Sequence, residues 1–350
     1  MDATRLPFKA TFCLIAALVL SGGSPASADA RPQRFDVTLT IFHDSLAPHG
    51  EWVTTARFGR VWLPRVPLGW RPYTQGYWTY TDVGWTWVSD EPFGWATYHY
   101  GRWYFDEIFG WVWVPDTVWG PAWVAWRSGG EYVGWAPLPP DILVAEEFDP
   151  VIDPLAYTFV RTNYLVERHL VTYCEPPARN VTFVRVTANE THFALGGSVV
   201  INRGVRVEAV ERAIGHAVPR RTVQATETVG APRVDSSRVV VYRPATVTIA
   251  AGATIGRPAP PPARPVESPA AMEARHAREV HDLDLAQVKA RAVLEAKHTQ
   301  ELRKPPAGLT LEQVKTRQEA EHKAQQDQEA REKQILAARH AREKNGGVIR

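Results

Sequence analysis

All fourteen tryptophans of this 350-residue chain fall between Trp52 and Trp135, and one run, GWTWVSDEPFGWATYHYGRWYFDEIFGWVWVPD (84–116), holds six of them. A covered indole takes ~200 Å² out of water, so fourteen represent roughly 2,800 Å². The largest apolar patch that a soluble monomer leaves exposed is ~300–600 Å². Most of these rings therefore have to form a core, and only a few can stand at a surface. This one window must fold compactly, with room left over for a small aromatic binding face.

The tryptophans recur. Trp62, Trp87 and Trp113 are 25 and 26 residues apart; Trp70 and Trp95 are 25 apart, as are Trp78 and Trp103. Three units align: GEWVTTARFGRVWLP (50–64), GYWTYTDVGWTWVSD (76–90) and GRWYFDEIFGWVWVP (101–115). A divergent fourth, PAWVAWRSGGEYVGWAPLPP (121–140), closes the series. Each of the first three reads Gly-x-Trp, a short stretch, then a second glycine with one or two more tryptophans.

Aromatic and β-branched residues favour strands, and glycine supplies the positive φ of a tight turn, so each unit predicts a β-hairpin. The two-residue spacing of Trp85 and Trp87, and of Trp111 and Trp113, puts each pair on one strand face. Prolines at 64, 67, 72, 92, 115 and 121 punctuate the joins, where a missing N–H does little harm. Arg127-Ser128-Gly129-Gly130 reads as the turn of the fourth hairpin. Repetition at this period implies stacked units that complete one another's cores. Trp62, Trp87 and Trp113 occupy the place that every unit buries. The candidates for a ligand-binding face are Trp78, Trp85, Trp103 and Trp111, with Trp103 expected to be partly exposed.

After Leu155 the tryptophans stop and the pattern turns to Val, Thr and Arg. Strands are expected at 157–161, 180–186, 198–201, 221–225 and 238–242, and a helix at 206–214 that Gly215 ends. Residues 141–256 thus read as an accessory α+β module beside a tryptophan-rich β-hairpin domain at 35–140. RPAPPPARPVESP (257–269) reads as a proline-rich linker, extended and solvated. Ser268-Pro269 then opens a charged helical tail over 270–345. It breaks at 305–308 and restarts at the capping box Thr310-Leu-Glu-Gln313. The fold class is mainly β, repeated antiparallel hairpins, with a small α+β module and a C-terminal helical tail. The positions 280, 287, 294 and 301 carry Val, Gln, Leu and Glu, which is no sustained apolar seam for a strong coiled coil. Arg-His-Ala-Arg-Glu occurs twice in the tail, at 275–279 and 339–343.

The N-terminus predicts export. Arg5 and Lys9 precede the short apolar run TFCLIAALVL (11–20), and small-x-small sites follow at 26–28 and 28–30. Residues 1–28 read as a signal peptide, too short in its apolar core to anchor in a bilayer. Its removal leaves Cys174 as the only cysteine, a buried thiol rather than half of a disulfide. With 40 basic against 38 acidic residues, nothing electrostatic points to nucleic acid. No later segment is apolar and long enough to span a membrane.

The chain holds no Gly-x-Ser-x-Gly, no phosphate loop and no His-Glu-x-x-His. The carboxylate pairs Asp90-Glu91 and Asp106-Glu107 sit where the repeats turn, and adjacent residues on a strand face opposite ways, so they read as solvated turn residues and not as a glycosidase pair. The expectation is a non-enzyme that needs neither metal nor cofactor.

The run 84–140, above all PAWVAWRSGGEYVGWAPLPP, resembles an uncharacterised family of exported bacterial proteins with tryptophan-rich repeats of the WXXGXW type. That resemblance covers roughly residues 35–245 and implies an envelope location without a known activity. Gly101-Arg-Trp-Tyr-Phe-Asp106 with Gly110-Trp111 is also similar to the Gly/Trp hairpins of choline-binding repeats. The function expected is an exported, non-enzymatic scaffold or protein-interaction protein of the cell envelope, periplasmic or extracellular, with an envelope protein as partner. The alternative is a module that binds glycan or cell wall through a few exposed rings. Self-association through the tail is open in either case.

Overall fold

Each tryptophan repeat folds as an antiparallel hairpin in the computed structural model, which describes residues 41–67, 69–142, 150–196, 199–244 and 268–345. The expected signal peptide (1–28) lies outside the described residues, as does the expected linker (257–269) apart from its last two. The four hairpins are β1 (Gly50–Thr55) with β2 (Gly59–Pro64), β3 (Gly76–Thr81) with β4 (Gly84–Ser89), β5 (Arg102–Asp106) with β6 (Gly110–Val114), and β7 (Val124–Gly129) with β8 (Tyr132–Pro137). Their registers oppose Trp52 to Trp62, Trp78 to Trp87, Trp103 to Trp113 and Trp126 to Trp135. The repeat therefore encodes a cross-strand tryptophan pair, the unit by which neighbouring strands stabilise each other.

The register also accounts for the glycine that opens each repeat. A Cβ on Gly50, Gly76 or Gly101 would lie 2.3, 2.3 or 2.1 Å from the carbonyl oxygen of Leu63, Val88 or Val114 on the partner strand. The ring of Trp62, Trp87 or Trp113 would be 2.5, 2.9 or 2.9 Å away. Only a residue without a side chain lets the indole lie over the start of the opposite strand.

Two hairpins associate as a four-stranded sheet in the order β1-β2-β6-β5, which brings Trp62 opposite Trp113. A second sheet runs β10-β7-β8-β9, adding β9 (Thr158–Arg161) and β10 (Ala188–Asn189). The largest sheet has seven strands, β11-β12-β4-β3-β13-β15-β14. Its added strands are β11 (Phe193–Gly196), β12 (Val199–Asn202), β13 (Arg220–Thr226), β14 (Arg233–Val234) and β15 (Arg238–Tyr242). The sheets share one aromatic core in which Trp62, Trp78, Trp85, Trp87, Trp103, Trp113, Trp126 and Trp135 are all buried. The short helix α1 (Gly94–Thr97) brings Trp95 into it.

The sequence of the middle region misleads at one element. The β-branched stretch 180–186, expected as a strand, is the helix α2 (Asn180–Val186). Tertiary packing overrides propensity here: the helical turn sets Phe183 against Tyr132 and Phe159, with centroids 4.4 and 5.2 Å away. The helix expected at 206–214 is α3 (Val207–Ile214), closed by Gly215 at φ +80°. In the fourth hairpin β7 continues through Gly129, so the turn falls at Gly130-Glu131, a residue or two later than the pattern suggests.

The tail is a pair of long helices, α4 (Pro269–Arg303), capped by Ser268, and α5 (Leu311–Lys344), capped by the Thr310/Gln313 box. They run antiparallel, and α4 turns His276, Leu283, Gln287, Leu294 and His298 inward. A seam with this much histidine and glutamine is one that hydropathy does not mark. The hairpin docks on α2 and the preceding segment through a buried ionic network around Glu321, which is 0% exposed. Glu321 meets His298 Nε2 at 2.8 Å, the Thr182 hydroxyl at 2.5 Å, and Arg179 and Arg317 each at 3.6 Å. All described residues belong to one compact unit, Arg34–Arg350.

Candidate functional site

Where the hairpin passes over the first sheet it leaves a cavity of about 710 Å³. The floor and one wall are aromatic: Trp70 from the β2–β3 connection, Phe105 at the end of β5, Phe109 in its turn and Trp111 on β6. Phe105, 39% exposed, and Trp111 meet edge to face at 5.4 Å. The indole N–H of Trp70 donates to Glu91 Oε1 at 2.5 Å, and its ring lies 5.3 Å from Trp103, so this wall is anchored in the core.

The opposite wall is a stripe of α5: Gln328, Glu332, Ile335, Arg339 and Arg342. Spacings of four and three residues keep them on one helix face over roughly 21 Å. Much of the charge here is already paired. Arg331 lies 2.8 Å from Asp153, Arg275 2.6 Å from Glu343, and Arg339 2.8 Å from Glu279. Three enclosed atoms of the stripe have no hydrogen-bond partner among the described residues: Gln328 Oε1, Arg339 Nε and Arg342 Nη1. Arg342 rests on Phe109, its guanidinium carbon 4.3 Å from the ring centroid. Burial pulls its pKa down. Burial likewise lowers Arg71, on the floor, to about 10.

At one end the two Arg-His-Ala-Arg-Glu segments face each other across the helix pair and bond reciprocally. His276 meets Glu343 at 2.6 Å while His340 meets Glu279 at 2.7 Å, and the imidazoles stack at 3.8 Å. Burial raises the Glu279 and Glu343 carboxyls, but the histidine and arginine partners outweigh it and leave both below the usual range. Burial lowers His340. The segments thus form a pseudo-symmetric clasp, which the repetition in the sequence could signal but not pair.

Of the four rings expected to form a ligand face, Trp111 alone keeps partial exposure and lines the cavity. Trp78, Trp85 and Trp103 are 1%, 0% and 1% exposed. Trp103 was expected to be open because it sits in the Gly-x-Trp arm. It is covered because its register partner is Trp113 and because Trp62, Trp70 and Tyr98 close around it at 6.2, 5.3 and 6.1 Å. The rings that sequence reasoning passed over are Trp70 and Phe105. The aromatic repeat could not single them out, since what leaves them open is a helix pair remote in sequence.

Glu91, expected to be a solvated turn residue, is mostly enclosed. Burial raises its carboxyl to about 7, against hydrogen bonds from Tyr98, Trp70 and Ser89 that favour the charged form. Asp106 keeps the turn role, accepting from the backbone N–H groups of Ile108 and Phe109 at 2.9 and 3.0 Å. Burial pushes the Cys174 thiol up to about 12. No cluster of three or more His, Cys, Asp or Glu suited to a metal occurs among the described residues.

A mainly antiparallel β protein with a tryptophan core and a helical hairpin across one sheet is the class that fold and cavity define. Residues 43–142, which hold all four hairpins, match the model of a family of unknown function, DUF6600. That match and the large aromatic core fit an uncharacterised tryptophan-rich family. No curated protein and no solved structure matches the chain. The polar wall and the clasp lie outside the matched residues.

Proposed function

We propose that this is an exported, non-enzymatic binding protein of the cell envelope, with the tryptophan-rich body as scaffold and a glycan segment as the ligand of the cleft under the helical arm. Export is supported by the charged start, apolar run and small-x-small sites of residues 1–30. No described helix is long and apolar enough to cross a membrane. The observation that carries the glycan reading is the cavity, which sets the rings of Trp70, Phe105 and Trp111 against a polar helix face. Binding sites pair apolar walls with a few placed polar groups, and a pyranose offers just such a C–H face rimmed by hydroxyls.

Calorimetric titration with peptidoglycan fragments and envelope polysaccharides tests this. Saturable binding that Trp111→Ala weakens is expected, and no heat with any saccharide would refute it. A second reading, as a partner-binding scaffold, is favoured by the outer side of α4, where Val280, Leu285, Val288 and Leu302 are 42–53% exposed. Sedimentation of the wild type against Val288→Glu separates the two, since only an apolar contact through α4 changes mass with that variant.

A further inference from the structure

We infer that the cleft selects a carboxylate-bearing saccharide and that Arg342 holds its acid group. This rests on the glycan reading and goes beyond it. Of the three α5 arginines that line the cleft, Arg342 alone has no carboxylate within 4.0 Å among the described residues; Arg331 and Arg339 both have theirs. Phe109 covers one face of its guanidinium, and Nη1 is enclosed with no acceptor among the described residues. Arg339 Nε, one helical turn away, is also without an acceptor. An enclosed N–H left unmade costs free energy, and a carboxylate is the acceptor whose geometry matches a guanidinium fork.

The charge around Arg342 sets the kind of anion. Glu279 already neutralises Arg339, and Asp106, Glu343 and Glu51 all act on the Arg342 charge. One unpaired guanidinium among carboxylates suits a single negative charge and repels a phosphate carrying two. The rest of the cleft sets the skeleton. An aliphatic acid would leave Gln328 Oε1 stranded at the far end, roughly 21 Å along the helix from Arg342. A chain of sugars supplies hydroxyl donors along that length and C–H faces for Trp111 and Phe105.

Two sources carry this chemistry, the lactyl carboxylate of wall disaccharides and the uronates of acidic polysaccharides. Calorimetry on the purified protein distinguishes them with N-acetylglucosaminyl-N-acetylmuramic acid against chitobiose, and oligogalacturonate against its methyl ester. At least one acid should bind roughly tenfold tighter than its neutral counterpart, and the pair that shows the preference names the source. Arg342→Gln should abolish the preference, so that acid and neutral sugars bind alike in a protein that circular dichroism shows to be folded. Arg342→Lys, which keeps the charge without the fork, should fall between. Equal binding of acid and neutral sugars, lost together in Trp111→Ala, would overturn the role of Arg342 and leave the glycan site standing. Silence from every saccharide would overturn both. Binding of an acidic peptide in their place would overturn the ligand class.

Discussion

Replacing Trp103 by alanine tests whether the aromatic repeat builds core or surface. The ring is 1% exposed and enclosed by Trp62, Trp70 and Tyr98. Deleting a buried aromatic of this size costs ~3–5 kcal/mol, the spread reflecting how far the site collapses. Trp103 Nε1 has no hydrogen-bond partner among the described residues, so its loss strands no acceptor there and the cost belongs near the lower end. Trp113 differs in one bond, since its indole donates to the Tyr100 carbonyl at 2.7 Å. Leaving that oxygen unpaired adds ~1 kcal/mol to Trp113→Ala. Trp111, open on one side, should cost about 1 kcal/mol. The expected order is Trp113 above Trp103, and both well above Trp111. Denaturant unfolding with a constant slope measures it, against a total stability of ~5–15 kcal/mol. A Trp103→Ala protein within ~1 kcal/mol of wild type, or no worse than Trp111→Ala, would refute the register that buries this ring.

Gly101→Ala should destabilise strongly: φ is +64°, a conformation that costs an L-residue ~1–2 kcal/mol, and the 2.1 Å approach to the Val114 oxygen adds to it. A loss under ~1 kcal/mol in thermal unfolding would count against the close strand approach. Glu91 should make stability fall with pH. Its folded pKa is raised from 4.5 to about 7, so its contribution is complete below pH ~4.5 and is lost as pH rises through 7. That loss is up to about 3 kcal/mol, and Glu91→Gln should remove the slope; an unchanged slope would refute it. Glu321→Ala leaves the enclosed His298 without its 2.8 Å partner and takes one of three carboxylates from beside Arg179, which keeps Glu175 and Glu301, at ~3 kcal/mol, the low end for breaking a buried pair from one side. Hydrogen exchange should then show the helix pair released from α2, and unchanged protection of α4 and α5 would show that something else holds it.

The hairpins were legible because their signal is local. Gly-x-Trp followed by Gly and Trp-x-Trp specifies strand, turn and strand within fifteen residues, and the arithmetic of fourteen indoles already demands that most be buried. The helix ends were legible too, since Ser268 and Thr310 satisfy their own first-turn N–H groups. Stretch 180–186 was not: β-branched residues prefer strands, but Phe183 and Thr182 are placed by contacts with Tyr132 and Glu321, far away along the chain.

Which rings face outward depends on the same kind of distant partner. Along a strand, Trp103 and Trp111 look alike, two large rings in a repeat. Trp103 is shut in by a register partner ten residues on and by Trp62 and Trp70 from other units. Trp111 stays partly open because a cavity lies between its ring and α5. The pairing of the two Arg-His-Ala-Arg-Glu segments, sixty-four residues apart, likewise exists only once the helices run antiparallel. Sequence alone determined the four tryptophan hairpins and the need for a tryptophan core, because those follow from neighbours a few residues apart. The opening in that core was decided by tertiary structure, because exposure is a property of what lies across space.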